Sequence, residues 1–209
     1  MPTNVYLVRH GLTEDHGVRL SGRAPGIHLT PDGQRAAADV AAALAHEQLA
    51  LVYTSPLERA RETAAPIAAR AGCRLRVWRL LTEIDFGAWT GASYAALDGE
   101  PAWLAFNRRP SRARIPGGET TRAVAVRAAR AVVAVTSRHA GANVALVSHG
   151  DLLRLMVTGL LGMPIDAFRR LQIDEGSVTH VRIDDDGAAS IVHLNLPSGL
   201  DGVSQRIPL

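Results

Sequence analysis

Two short runs without a single polar residue, Val5-Tyr6-Leu7-Val8 and Val144 to Val147, constrain the fold of this chain more than any other feature. A strand with one wet face alternates polar with apolar side chains, whereas a uniformly apolar run of strand formers reads as a strand buried on both faces. Leu49 to Tyr53 and Arg74 to Trp78 are further strand candidates, and helical patterns alternate with these runs. Thr30-Pro31 offers a cap followed by proline at the first helical position, and Ala37, Val40, Ala41 and Leu44 mark one face of a helix to about residue 46. Ser55-Pro56-Leu57-Glu58 reads as a capping box, with proline again at the first helical position. A stripe of Leu57, Ala60, Ala64, Ile67, Ala68 and Ala71 follows it.

Residues 82 to 118 hold short helical pieces broken by glycine and proline, and Glu119 to Arg138 reads as a long helix striped by Val124, Ala128, Ala131, Val132 and Val135. The Val144 run passes directly into a helix reaching about Leu161. Two last strands, Val178 to Ile183 and Ser190 to Leu194, flank Asp184-Asp185-Asp186-Gly187, an Asp-Gly type of turn. Strands alternating with helices predict an α/β fold, a mostly parallel central sheet with helices on both faces. The 209 residues suit a single domain, 1–209, with 80–118 as a helical lid or insertion.

Composition removes several chemistries. All 23 basic residues are arginine, so a Schiff-base lysine and the lysine of a phosphate-binding P-loop are excluded. One cysteine, Cys73, leaves no disulfide framework within the chain and no cysteine-rich metal site. His46-Glu47 begins like a zinc-protease motif, but Ala50 stands where the second histidine is needed, and no G-x-S-x-G elbow occurs. The net charge is only +3 and the arginines are scattered, so a nucleic-acid partner is not expected. No stretch approaches the roughly 20 apolar residues of a spanning helix. The expectation is a cytoplasmic chain with no membrane partner.

In parallel sheets ligands bind beyond the carboxyl ends of the strands. Arg9-His10-Gly11 ends the first run, Arg59 lies in the first turn after the second, and Ser148-His149-Gly150 ends the Val144 run. Two guanidinium and two imidazole groups are thereby delivered to one edge, and their natural ligand is a dianion. Neutral imidazole is a nucleophile, and a phosphoryl group on nitrogen remains labile to water. The second histidine, charged, can stabilise the oxygens of the transferring group. A carboxyl of raised pKa would serve as proton donor to the leaving alcohol; Glu83, in Thr82-Glu83-Ile84-Asp85-Phe86-Gly87-Ala88-Trp89-Thr90-Gly91, has the apolar neighbours for this, and Asp85 is its rival.

These segments resemble the histidine phosphatase superfamily, in its phosphoglycerate-mutase-like branch. Leu7-Val8-Arg9-His10-Gly11 is similar to the family's R-H-G signature, and Thr54 to Thr63 to its S-P-L-x-R-A-x-x-T segment. Glu83 with Phe86 to Gly91 is similar to its acid loop, Pro116-Gly117-Gly118-Glu119-Thr120 to its G-G-E element, and Val147-Ser148-His149-Gly150 to its S-H-G element. The matches come in the family's order over residues 5 to 150. The resemblance implies a phosphoglycerate-mutase-like fold, His10 as the phosphorylated nucleophile, Arg9, Arg59 and His149 as the phosphate pocket, and Glu83 as acid and then base. It implies no cofactor, no metal and a small phosphorylated substrate, and it leaves a homodimer open, since relatives pair through sheet edges. Leu12 stands where the family usually has Glu or Gln, and His16 and Gly17 near its usual Asn; Arg19-Leu20-Ser21-Gly22 resembles the next substrate-loop element one residue early, which makes Ser21 and Gly22 substrate-side candidates.

The expected activity is phosphomonoester hydrolysis without a metal; the alternatives are a phosphomutase and a non-catalytic binder of phosphorylated ligands. Mutases of the family typically have a longer chain with extra basic residues, lysine included, gripping a carboxylate; this chain has no lysine, and only Arg108, Arg109, Arg112 and Arg114 could substitute. Arg108, Arg109, Arg112 and Arg114 fall where a lid would be and are candidates for screening an anionic substrate, or else form a solvated loop. Glu58 is expected to serve only the helix cap, Arg61 to be solvated, and His28, His46, His139, His180 and His193 to be structural or surface groups. The Pro197 to Leu209 tail is expected either to order against a partner or to hang free.

Overall fold

The computed structural model describes residues 1–198, so the tail beyond Ser198 lies outside the described residues. Thr3–Arg9 forms β1, Pro31–Ala43 α1, Leu51–Thr54 β2, Glu58–Ala71 α2 and Arg74–Val77 β3. Two 3₁₀ turns and two short helices follow, α3 over Tyr94–Leu97 and α4 over Pro101–Arg108. Then come α5 (Thr121–Arg138), β4 (Asn143–Ser148), α6 (Gly150–Leu160), a 3₁₀ segment over Ile165–Arg170, β5 (Val178–Ile183) and β6 (Ala189–Leu196). The strands build one sheet in the order β3-β2-β4-β1-β5-β6. The pairings among β3, β2, β4 and β1 are parallel, as the alternation of strand and helix requires, and the hairpin strands β5 and β6 close the far edge antiparallel.

The uniformly apolar runs occupy the middle of the sheet and divide their side chains between two cores, as the two-residue period of a strand demands. Val5 and Leu7 of β1 join Val144 and Leu146 of β4 under α5 and α6, while Tyr6 and Val8 join Ala145 and Val147 against α1 and α2. The α5 stripe buries Val124, Ala128, Ala131 and Val135, and Thr120 caps that helix by accepting from the Ala123 N–H at 3.2 Å. Val132, on the margin of the stripe, is half-buried.

Three expectations change, and the third strand candidate takes an edge position. The first helix ends at Ala43, with a turn running to Glu47. Ser55 is not a capping box partner: α2 starts at Glu58 behind Leu57, with no side-chain cap. The Ser55 hydroxyl instead accepts from the Leu57 N–H at 3.3 Å and bonds His149, so its cap-like spacing to Glu58 serves another purpose. β3 is an edge strand whose four residues are all exposed. Finally, Arg108, Arg109 and Arg112 line a separate shallow depression with Ala105 and Ala113, away from the cleft at the strand ends. His180 is structural, as expected: it stacks on Tyr6 with ring centroids 4.6 Å apart and bonds Asn4 Oδ1 at 2.9 Å.

Candidate active site

Strand register places the two histidines. β1 and β4 are parallel neighbours with Arg9 opposite Ser148, so His10 and His149 leave the sheet at the same level, and their rings lie 5.1 Å apart between centroids. Arg59 arrives from the first turn of α2, where its Nε–H donates to His10 Nε2 at 3.3 Å and its Nη2 to the Gly22 carbonyl at 2.7 Å. Thr63, one turn further, accepts the Gly11 N–H at 3.0 Å and donates to the Arg59 carbonyl at 2.8 Å, joining loop to helix.

The tautomer of His10 follows from its partners. Nδ1 lies 2.8 Å from the Gly11 carbonyl, which can only accept, so Nδ1 carries the hydrogen and Nε2 keeps its lone pair. Arg59 donating to Nε2 fits the same assignment. Burial, then Arg59 and Arg9, holds the imidazole well below the ordinary histidine range, so the ring is neutral at physiological pH.

Arg9 donates Nη1 to the Ile173 carbonyl at 2.6 Å and Nη2 to the Glu175 carboxylate. A Cβ on Gly150 would lie 3.1 Å from Arg9 Cζ, so the glycine after His149 lets α6 sit against the guanidinium. His149 is fully buried, with Nε2 2.7 Å from the Ser55 hydroxyl. Burial, then Arg59, His10 and Arg9, pushes its pKa well below the usual value. The protein's own field therefore keeps His149 neutral, contrary to the charged form expected from sequence; a cationic ring would need the field of an added dianion.

Three buried nitrogens around His10 have no partner among the described residues: Arg9 Nε, Arg59 Nη1 and His149 Nδ1, the last a donor when the Ser55 hydroxyl donates to His149 Nε2. Buried polar atoms are nearly always hydrogen-bonded, and three orphans on three neighbouring side chains mark a place built for an acceptor-rich ligand.

Glu83 lines the same cleft. Its Oε1 accepts the Ile84 N–H at 2.9 Å and the Leu152 N–H, from the first turn of α6, at 3.3 Å. Its Oε2 accepts no hydrogen bond among the described residues. Burial first, then the Asp151 carboxylate, raises its pKa. Its backbone carbonyl accepts from Arg23 Nε at 2.9 Å and Arg127 Nη2 at 3.4 Å, and both arginines also hold Glu119 Oε2 at 2.8 Å. The G-G-E element thus clamps the acid loop. A Cβ on Gly118 would stand 2.3 Å from the Asp85 carbonyl, so only glycine permits that contact. Asp85 is committed to Arg23 and the Gly87 N–H and does not line the cleft.

Ser21 and Gly22 both line the cleft, with the Ser21 hydroxyl donating to Asp15 Oδ2 at 2.9 Å. Sequence reading missed Asp15, Tyr94, Trp103, Asp151, Arg154, Arg169 and Glu175, which also line the cleft. Asp151 directly follows Ser148-His149-Gly150, and that adjacency to a strand end was the signal available, as it was for Arg154 about one turn further along the same helix; the others come from segments with no pattern of their own. Among the described residues no group of three or more His, Cys, Asp or Glu side chains is placed to hold a metal ion, and no helix is long and apolar enough to cross a membrane.

Known proteins resemble this chain in sequence and in fold. The chain is 34% identical over 180 residues to a Klebsiella pneumoniae protein named "Probable phosphoglycerate mutase GpmB", covering 85% of this chain and 83% of that one. Among solved structures it is similar to the α-ribazole phosphatase of Shigella flexneri, with a TM-score of 0.83, 27% identity, and 95% and 99% of the two chains covered. It is also similar to a mycobacterial glucosyl-3-phosphoglycerate phosphatase, with a TM-score of 0.84, 26% identity, and 94% and 100% covered. The profile of the histidine phosphatase superfamily (branch 1) matches residues 5–197, and a match of that extent, over motifs that meet at one set of strand ends, places the chain in that superfamily.

Proposed function

We propose that this protein is a metal-independent phosphomonoester hydrolase that works through a phosphohistidine at His10. The observation that carries the reading is the coincidence of a lone pair on His10 Nε2 with three unpartnered buried donors around it. Arg9 Nε, Arg59 Nη1 and His149 Nδ1 bind the phosphoryl oxygens and stabilise the charge that spreads over them in the transition state. The bond from Nε2 to phosphorus forms as the ester P–O bond breaks, and the departing alcohol oxygen takes the proton of the Glu83 carboxyl. In the second half the Glu83 carboxylate removes a proton from water, the water oxygen attacks phosphorus, and the N–P electron pair returns to Nε2 as phosphate leaves. The raised pKa of Glu83 suits the first step and the lowered pKa of His10 suits nucleophilic attack.

The test is turnover of p-nitrophenyl phosphate with chelator present, beside rapid quenching of labelled enzyme. Chelator-insensitive release of phosphate, an acid-labile label on His10 and loss of both in His10→Ala support the reading. Label on another residue, or activity abolished by chelator, ends it. The relative named as a mutase motivates one alternative, in which water is excluded and the phosphoryl group returns to another oxygen of the bound substrate; isomerised ester in place of free phosphate would identify it.

A further inference from the structure

The cleft continues beyond the groups around His10, and its composition there bears on the leaving alcohol. One part carries the rings of Tyr94 and Trp103, whose centroids are 6.3 Å apart and whose planes are tilted by 45°. Another carries the carboxylates of Asp15 and Glu175. Asp15 Oδ2 accepts from Ser21, and Glu175 Oε1 from Arg9 and His16; Asp15 Oδ1 and Glu175 Oε2 accept nothing among the described residues. These are open acceptors, and they call for donors on the substrate.

Arg19, Arg154 and Arg169 also line the cleft; Arg154 and Arg169 are held by protein acceptors, whereas the Arg19 side chain has no acidic partner among the described residues. Arg154 Nη1 and Arg169 Nη2 hold the two oxygens of Asp151 at 2.8 and 3.5 Å, and Arg154 Nε donates to the Leu171 carbonyl at 3.0 Å. The Arg169 guanidinium lies 4.8 Å from the Phe106 ring centroid and 5.2 Å from that of Phe168.

We propose that the leaving alcohol is an uncharged, hydroxyl-bearing ring of the sugar type, its apolar face against Tyr94 and Trp103 and its hydroxyls donating to Asp15 and Glu175. Alcohols that carry an acid are selected against by the same two carboxylates. This rests on the hydrolase reading above and narrows its substrate class. The aromatic rings supply stacking area, and the carboxylates make charge-assisted bonds to hydroxyls.

Matched substrate pairs test it: glucose 1-phosphate against glucuronic acid 1-phosphate, and phenyl phosphate against 4-carboxyphenyl phosphate. The neutral member of each pair should have the higher kcat/KM by about tenfold or more, the order expected when like charges meet in a partly desolvated site. Asp15→Asn removes one repelling charge and should shrink that ratio by about tenfold, whatever it does to the absolute rates. Acid members turned over as well as the neutral ones in both pairs would overturn the proposal, as would a ratio unchanged in both Asp15→Asn and Glu175→Gln. The wild-type ratio decides alone if a variant does not fold. Should p-nitrophenyl phosphate prove inert, the hydrolase reading fails separately, and calorimetric binding of the same pairs then judges selectivity: tighter binding of the neutral members supports it, and equal or tighter binding of the acids overturns it.

Discussion

Glu83 illustrates how much one side chain owes to its neighbours. Two backbone N–H groups fix Oε1, while burial and Asp151 keep the carboxyl protonated above its ordinary range. If it protonates the leaving oxygen, Glu83→Gln should slow the hydrolysis of alkyl phosphates by roughly 10²–10⁴-fold. It should slow p-nitrophenyl phosphate far less, because that alcohol leaves as a stable anion; equal losses on both substrates would refute the acid role. The pH dependence has a definite sign. Under the proposed mechanism activity needs protonated Glu83, so kcat/KM should fall as pH rises through its raised pKa, whereas His10, with its lowered pKa, should set the limb on the acid side. Asp151→Asn removes a cause of the upward shift and should move the basic limb to lower pH, read from kcat/KM profiles with an alkyl phosphate; a limb that stays put would show that burial alone sets it. Glu83 was legible in the sequence through its apolar neighbours. Asp151, which tunes it, was not, because a charge–charge influence between residues 68 positions apart exists only once both are buried in one cleft.

The elements hold the site by close approach. The acid loop, the G-G-E turn and the start of α5 are joined by Arg23, Arg127 and Glu119, with Gly118 pressed against the Asp85 carbonyl. A methyl group on Gly118 must displace that backbone, so Gly118→Ala should cost about 1–3 kcal/mol in urea unfolding and lower kcat through misplacement of Glu83. Thr120→Ala removes the α5 cap and should cost about 1 kcal/mol with little change in kcat/KM. If the two variants behave alike in activity, the clamp has no positioning role. At this scale the long stripes were readable: α2 and α5 fall within a few residues of their expected limits. Ser55 was misread because a capping box and a serine reserved for His149 look identical along the chain. Only the distance between β2 and β4 separates them.

At the scale of the molecule, the sheet order puts β1 and β4 side by side in the centre, and the two buried cores flank them. Three histidines fold neutral: His10 and His149 well below the ordinary value of 6.5, and His180 lowered to about 4, each chiefly by burial. Their folded pKa values lie below those of the unfolded chain, so the unfolded state binds more protons in that window and stability falls as pH drops below 6.5. Glu83 and His28, with raised pKa values, work the other way, losing stability as pH rises, but they stand against the lowered His10, His139, His149 and His180. Thermal melts should therefore show a falling Tm between pH 6.5 and 4.5, before most carboxylates titrate. A Tm that is flat or rises over that interval would contradict the neutral assignment of the three rings.

The sequence by itself determined the α/β architecture, the central strands and the identity of the four groups at their ends, because burial on both faces and helical periodicity are local patterns that a chain carries wherever it goes. The tertiary structure alone decided that the Arg108 to Arg112 cations stay out of the cleft while Asp15, Asp151, Arg154, Arg169 and Glu175 enter it, and that His149 is neutral. Those outcomes depend on which distant segments share a low-dielectric space, and electrostatic coupling is set by that distance and burial, not by separation along the chain.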